Sequence, residues 1–175
     1  MNIHASSPSN ELIKQFCGSN YSCSHLPNDQ GVQTFEMDCL SENLEFLSFP
    51  DESFDLFITK DVFEHVFNPD IASREIMRVL KKGGAHVFTA PKHKALKTSS
   101  PRAMLVSGEI VYLKEESYHG NPVGDGRALV TWDYGDDFED LLFSWCGLKT
   151  ETVLPSINSF GLDGDYLEVF ITRKP

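Results

Sequence analysis

The sequence reads as an α/β chain, with strand and helix patterns alternating from its first residues to its last. Three observations carry that reading. The near-continuous apolar run Phe54, Leu56, Phe57, Ile58 suits a strand buried on both faces of a parallel sheet. Directly after it, Ala72, Ile76, Val79 and Leu80 recur at helical spacing. Ala85 to Ala90 then supplies a further strand, which completes a strand, helix, strand unit.

The elements follow in order. Ile3 to Ser6 predicts a short first strand, and Ser9-Asn10-Glu11-Leu12 opens a helix to about Phe16, with Gly18 as its stop. Tyr21 to Ser24 and Thr34 to Met37 are the second and third strands. The Phe54 strand ends at Asp61. Asn68 is placed to cap the next helix, and Pro69 suits its first position, where a missing amide would have no partner anyway. Gly83 and Gly84 break that helix, and Pro91 stops the fifth strand. Regularity lapses from Lys92 to Trp132, where Gly108, Gly120, Pro122, Gly124 and Gly126 mark turns around one strand expected over Val106 to Leu113. A loop-rich insertion of that length in a compact domain is commonly a lid or substrate loop. Phe138, Leu141, Leu142 and Trp145 then define a helix ended by Gly147. Leu148 to Val153 and Tyr166 to Thr172, joined by the Leu154 to Asp165 loop, predict a terminal antiparallel hairpin.

Composition bounds the function. The 175 residues, 41% of them hydrophobic, suit one domain over 1–175 with one core. The absence of any apolar run of about eighteen residues and of a basic, then apolar, leader predicts a soluble cytoplasmic protein without membrane partners. Cys17, Cys23, Cys39 and Cys146 form no C-x-x-C pair, so reduced thiols are expected. A net charge of −11 disfavours a nucleic-acid partner, because the surface repels phosphates. Only Lys92-His93-Lys94 with Lys97 and Arg102 makes a basic strip.

The segment from Ser48 to Pro91 carries a resemblance. Its Phe-Pro-Asp turn, its strand ending at Asp61, Glu64-His65-Val66, Asn68-Pro69, Arg78-Val79-Leu80 and Gly83-Gly84 resemble the second half of a class I S-adenosylmethionine-dependent methyltransferase of the type 11 or type 23 kind. The resemblance implies a Rossmann-like seven-stranded sheet of order 3-2-1-4-5-7-6 with helices on both faces. It also implies S-adenosylmethionine as cofactor, a small-molecule methyl acceptor as partner, and compatibility with a homodimer. Strand one starts almost at Met1, where relatives usually have a helix or two that close over the donor. A dinucleotide or nucleotide-sugar enzyme would instead call for G-x-G-x-x-G after strand one, which is absent.

Methyl transfer from a sulfonium needs chiefly a cradle that aligns methyl and acceptor. In an open parallel sheet that cradle lies beyond the carboxyl ends of the strands. After strand one the family has an acidic residue and glycines; here Ala5, Ser6 and Ser7 stand in a glycine-free loop, and Pro8 removes an amide donor. The loop is either a variant cradle or the mark of a domain that has lost its donor and serves as a noncatalytic binding or assembly module. By the resemblance, Ser24 and His25 take the ribose position, Asn43 the adenine amino group and Leu44 the ring face. Lys60, Asp61 and His65 adjoin donor and acceptor. Asp61 is the first candidate for a catalytic role, against the alternative that it caps the Val62 to Phe67 turn. His119, in the insertion, has a free pKa that suits proton abstraction from a hydroxyl or amine. Some quinone-pathway and small-RNA methyltransferases bind a divalent metal with Glu-x-x-Glu-His; Asp61-Val62-Phe63-Glu64-His65 is related, but its shorter first residue argues for no metal.

Overall fold

The computed structural model describes residues 1–6, 20–25, 39–120, 126–155 and 164–175. Strands β1 (Ile3–Ser6), β2 (Tyr21–His25), β3 (Leu40–Ser41), β4 (Phe54–Lys60) and β5 (Leu80–Thr89) pair in parallel, with β1 between β2 and β4. Helix α1 (Pro69–Val79) is the crossover from β4 to β5. The helix expected over Ser9 to Phe16 and the strand expected over Thr34 to Met37 lie outside the described residues, and β3 pairs through Leu40 and Ser41.

Beyond β5 come β6 (Ser100–Pro101), β7 (Ala103–Val106), β8 (Glu109–Tyr112), β9 (Tyr118–Gly120), β10 (Arg127–Leu129) and β11 (Trp132–Asp133), in three two-stranded ribbons. Helix α2 (Phe138–Cys146), β12 (Thr150–Val153) and β13 (Val169–Arg173) close the chain. Strand β13 runs antiparallel to β5, and β12 pairs antiparallel with β13. The main sheet is therefore ordered β3-β2-β1-β4-β5-β13-β12, which is the expected 3-2-1-4-5-7-6 when the two terminal strands are counted sixth and seventh. Among the described residues no helix is long and apolar enough to cross a membrane.

The apolar face of α1 packs as its spacing requires: Ala72, Ile76 and Val79, followed by Leu80 at the start of β5, are fully buried in one core cluster with Phe57, Phe88 and Phe170. Burying four such side chains stabilises the crossover by several kcal/mol, at roughly 25 cal/mol for each Å² of apolar surface removed from water. In β4, Phe54, Phe57 and Thr59 are buried while Leu56 and Ile58 are half-buried.

Four local expectations need correction. The helix ends at Val79, and the glycine pair forms a bulge inside β5, between the pairings Phe54 with Leu80 and Leu56 with Ala85. Gly83 sits there at φ 77°, and a Cβ on Gly84 would lie 2.9 Å from the Lys81 carbonyl oxygen and 3.0 Å from that of Asp55. The single strand expected over Val106 to Leu113 is a hairpin, because Ser107 and Gly108 both take positive φ, as a two-residue turn between twisted strands demands. Asn68 occupies the helix N-cap position, but its side chain donates to Glu45 Oε2 at 2.7 Å instead of capping. Cys23 and Cys39 are joined in a disulfide, their Cα atoms 4.8 Å apart across β2 and β3, whereas Cys146 is free. Cysteine spacing concealed this pair because sheet pairing, and not sequence proximity, makes them neighbours.

Candidate functional site

The carboxyl ends of β1, β2 and β4 lie side by side, and most of the residues singled out by sequence stand there. On the donor side, Ala5 and Ser6 are buried at the end of β1, and Ser7 lies outside the described residues. Ser24 is fully buried, its Oγ 2.9 Å from His4 Nε2, while His4 Nδ1 is 2.8 Å from Ser22 Oγ. Its hydroxyl thus serves the interior of the sheet, which leaves half-buried His25 as the outward side chain at the end of β2. Burial lowers the pKa of His4 to about 4, so this ring is neutral within the network.

Asn43 is exposed, and its Oδ1 accepts from the Glu45 amide at 2.9 Å in a local turn. That oxygen keeps a second lone pair for an adenine amino group. Leu44 is only 4% exposed and belongs to the core cluster. Among the described residues, Asn43, His25 and the backbone of β1 are the polar groups left open at the donor-side strand ends, and the end of β2 carries no carboxylate.

The acceptor side is more densely built. Lys60 is exposed at the end of β4. Asp61 follows in left-handed conformation, φ 49°, which a non-glycine residue adopts at some cost. Its amide donates to the Thr89 carbonyl at 3.1 Å, and its Oδ1 accepts the Thr89 hydroxyl at 2.8 Å. Those bonds tie it across to β5, in contrast to the capping role that local sequence suggested.

Phe63–His65 then form one 3-10 turn. This turn is clamped from the other side by the two residues that flank β11: the Thr131 amide donates to the Glu64 carbonyl at 2.7 Å, and the Tyr134 hydroxyl donates to the Phe63 carbonyl at 2.9 Å. The clamp fixes Glu64 in the interior, 1% exposed. Glu64 Oε1 lies 3.5 Å from His119 Nδ1 and 3.8 Å from His65 Nε2.

Ribbon β9–β10 completes the cluster. It carries His119, paired with Ala128, and it presents the Leu129 carbonyl, which accepts from His65 Nδ1 at 2.7 Å. The two imidazoles meet edge to face with centroids 5.2 Å apart. The Glu64 carboxylate raises the pKa of His119 against the opposing effect of its partial burial, and Asp61 adds to the rise. A free imidazole ready to abstract a proton is therefore replaced by one held against a buried carboxylate.

Sequence thus located Asp61, His65 and His119, and the fold brings them together. Glu64 stood within the Asp61-Val62-Phe63-Glu64-His65 set but was not chosen as a site residue, although that set was the available signal. Three cations of the basic strip are paired: Lys92 with Glu139, Lys97 with Asp136 and Arg102 with Asp133.

Residues 5–88 match the family described as a methyltransferase domain. No curated protein matches the sequence. Among solved structures, an S-adenosylmethionine-dependent methyltransferase from Mesorhizobium loti superimposes with a TM-score of 0.59 at 14% identity, covering 99% of this chain and 90% of that one. A second, from Methanosarcina mazei, gives 0.58 at 15% identity, covering 98% and 91%. The glycopeptide N-methyltransferase MtfA, complexed with S-adenosylhomocysteine, gives 0.60 at 10% identity, covering 99% and 81%. The methyltransferase-domain match over residues 5–88 and the order and direction of the seven strands show that the chain has the fold of the class I S-adenosylmethionine-dependent methyltransferases.

Proposed function

We propose that the protein transfers a methyl group from S-adenosylmethionine to a small molecule. One observation carries the reading: the donor-side strand ends of β1 and β2 adjoin, through β4, the cluster of Glu64, His65 and His119, with Asp61 near enough to act on His119. Asn43, His25 and the β1 backbone hold the donor. Bound there, it supplies an electrophilic methyl on a sulfonium, and the protein's contribution is alignment. Asp61 and His119 face the acceptor from two sides, one fixed by β5 and the other by the β9–β10 ribbon. The half-exposed His119 leaves the cluster open to solvent, which suits a small acceptor entering from the insertion. The paired lysines and arginine and the net charge of −11 speak against a nucleic-acid acceptor.

A second reading has its own support. Ser24 is engaged by His4, and among the described residues the end of β2 carries no carboxylate to grip a ribose, as in a domain that has given up its donor. Titration calorimetry with S-adenosylmethionine and S-adenosylhomocysteine separates the two. The enzyme reading expects one site per chain for both ligands, weakened by Asn43→Ala. No heat at about 1 mM ligand, an affinity worth only about 4 kcal/mol, would leave the noncatalytic module standing alone.

A further inference from the structure

We propose that Glu64, His65 and His119 form a binding site for a divalent first-row transition-metal ion. One ligand atom from each residue converges, all three lying within 4.8 Å of one another. Tetrahedral zinc, with bonds of about 2.0–2.1 Å, spaces its ligand atoms about 3.3 Å apart. Separations of 3.5 Å from Glu64 to His119 and 3.8 Å from Glu64 to His65 are already close to that edge length. The remaining approach falls to His119, whose side chain is 43% exposed on a two-stranded ribbon.

Two independent features aim these groups at a cation. The Leu129 carbonyl can only accept, so the hydrogen bond at 2.7 Å places the proton of neutral His65 on Nδ1 and its lone pair on Nε2, facing the cluster. A carbonyl behind the distal nitrogen is the arrangement that orients histidine ligands in metal sites. The second feature is Glu64 itself: its side chain is 1% exposed and its Oε2 has no hydrogen-bond partner. A buried carboxylate in that state is costly without a positive charge beside it. Among the described residues only His65 and His119 form ion-pair contacts with Glu64, and no lysine or arginine does.

Two imidazoles and one carboxylate select borderline ions such as Zn²⁺ or Co²⁺ over Mg²⁺ and Ca²⁺, which favour all-oxygen shells. The hydrogen bonds from Thr131 and Tyr134 to the ligand-bearing turn provide the rigidity such a site requires. Three protein ligands leave a coordination position open. Located beyond β4 near Asp61, that position would take an oxygen or nitrogen of the acceptor; this role, unlike the binding itself, rests on the methyl-transfer reading.

The test uses the full chain, stripped with EDTA and dialysed, then titrated with Co²⁺ while visible ligand-field absorption is recorded, and with Zn²⁺ by calorimetry. One ion per chain is expected, with histidine-type ligand-field bands. Glu64→Gln, His65→Ala and His119→Ala should each weaken binding by at least about tenfold, since loss of even an outer partner commonly costs that much. His93→Ala, outside the cluster, should leave it unchanged. His119 lies on an exposed ribbon, so His119→Ala should keep the wild-type circular dichroism and remain interpretable. Failure to bind either ion more tightly than about 100 μM, or binding that His119→Ala leaves intact, overturns the proposal. A proton on His119 would then suffice to balance Glu64. Donor titrations on the metal-free chain keep the readings apart: donor binding without metal binding sinks only the metal site, and the reverse sinks only methyl transfer.

Discussion

At the scale of single residues, the buried histidines of the sheet are the most consequential side chains outside the site. His4 bridges two serine hydroxyls, and His86 lies with its Nε2 3.0 Å from Thr59 Oγ1, stacked on Phe88 at 4.3 Å. Burial lowers their pKa values to about 4 and about 3. Both rings therefore stay neutral in the folded chain, whereas in the unfolded chain they charge below about pH 6.5. As pH falls through that value the unfolded state binds more protons, so stability is lost progressively, down to about pH 4 for His4 and about pH 3 for His86. Between about pH 7 and pH 5 each ring should cost about 2 kcal/mol of unfolding free energy. Urea denaturation at both pH values checks this. His86→Gln should show a fall smaller than wild type by about that amount, and an identical fall in both proteins would refute the assignment.

At the scale of elements, Arg78 joins α1 to the turn that precedes β4. Its guanidinium donates to the Leu47 and Phe49 carbonyls at 2.9 and 2.8 Å and pairs with Glu75 and Asp51, each at 2.8 Å. Those carboxylates raise its pKa further, so its charge is constant over the accessible range. Glu75 in turn accepts the Leu47 amide at 3.1 Å. The Phe-Pro-Asp turn is thus held by a planar fork, not by apolar packing alone. Arg78→Ala should lower stability by about 2–3 kcal/mol, within the range for breaking a hydrogen-bonded network. Arg78→Lys should recover less than half, because an ammonium cannot span four acceptors in one plane. Equal midpoints for the lysine variant and wild type in urea would show that charge, and not the fork, matters.

The same scale explains which elements were legible. Helices α1 and α2 follow their apolar spacing, and Gly147 ends α2 in left-handed conformation at φ 71°. The ribbons of the insertion were not legible, since strands of two to four residues have too few side chains to display alternation. What holds β6 to β11 together is largely polar: Asp133 receives Arg102 and Lys114 at 2.9 and 2.7 Å. No sequence period announces such pairs.

At the scale of the whole molecule, the disulfide ties the donor side of the sheet together. It links β2 to the residue before β3, with 16 residues of separation between the cysteines. Closing a loop of about 15 residues stabilises a fold by roughly 3 kcal/mol through the unfolded chain. Reduction, or the Cys23→Ala and Cys39→Ala double substitution, should lower unfolding free energy by about that amount. An unchanged denaturation midpoint under reducing conditions would show that the bridge does not contribute in solution. Strands β1, β4 and β5, which it does not touch, should keep their hydrogen-exchange protection.

While the order of the strands came from the family resemblance, the sequence alone determined the alternation of strands and helices and the place of Asp61 and His65 beyond β4. These depend on local periodicity and on short turn motifs, which are properties of contiguous residues. Only tertiary structure decided the rest. His119 reaches Glu64 across 55 positions because β9 and β10 pair, Leu129 fixes the His65 proton from 64 residues away, and Cys23 meets Cys39 across two strands. Ser24 and Leu44, placed at the donor by position in the chain, are claimed by His4 and by the core. The physical reason is the same in each case: a side chain's chemistry is set by what burial and pairing place opposite it, and that partner is seldom a neighbour in sequence.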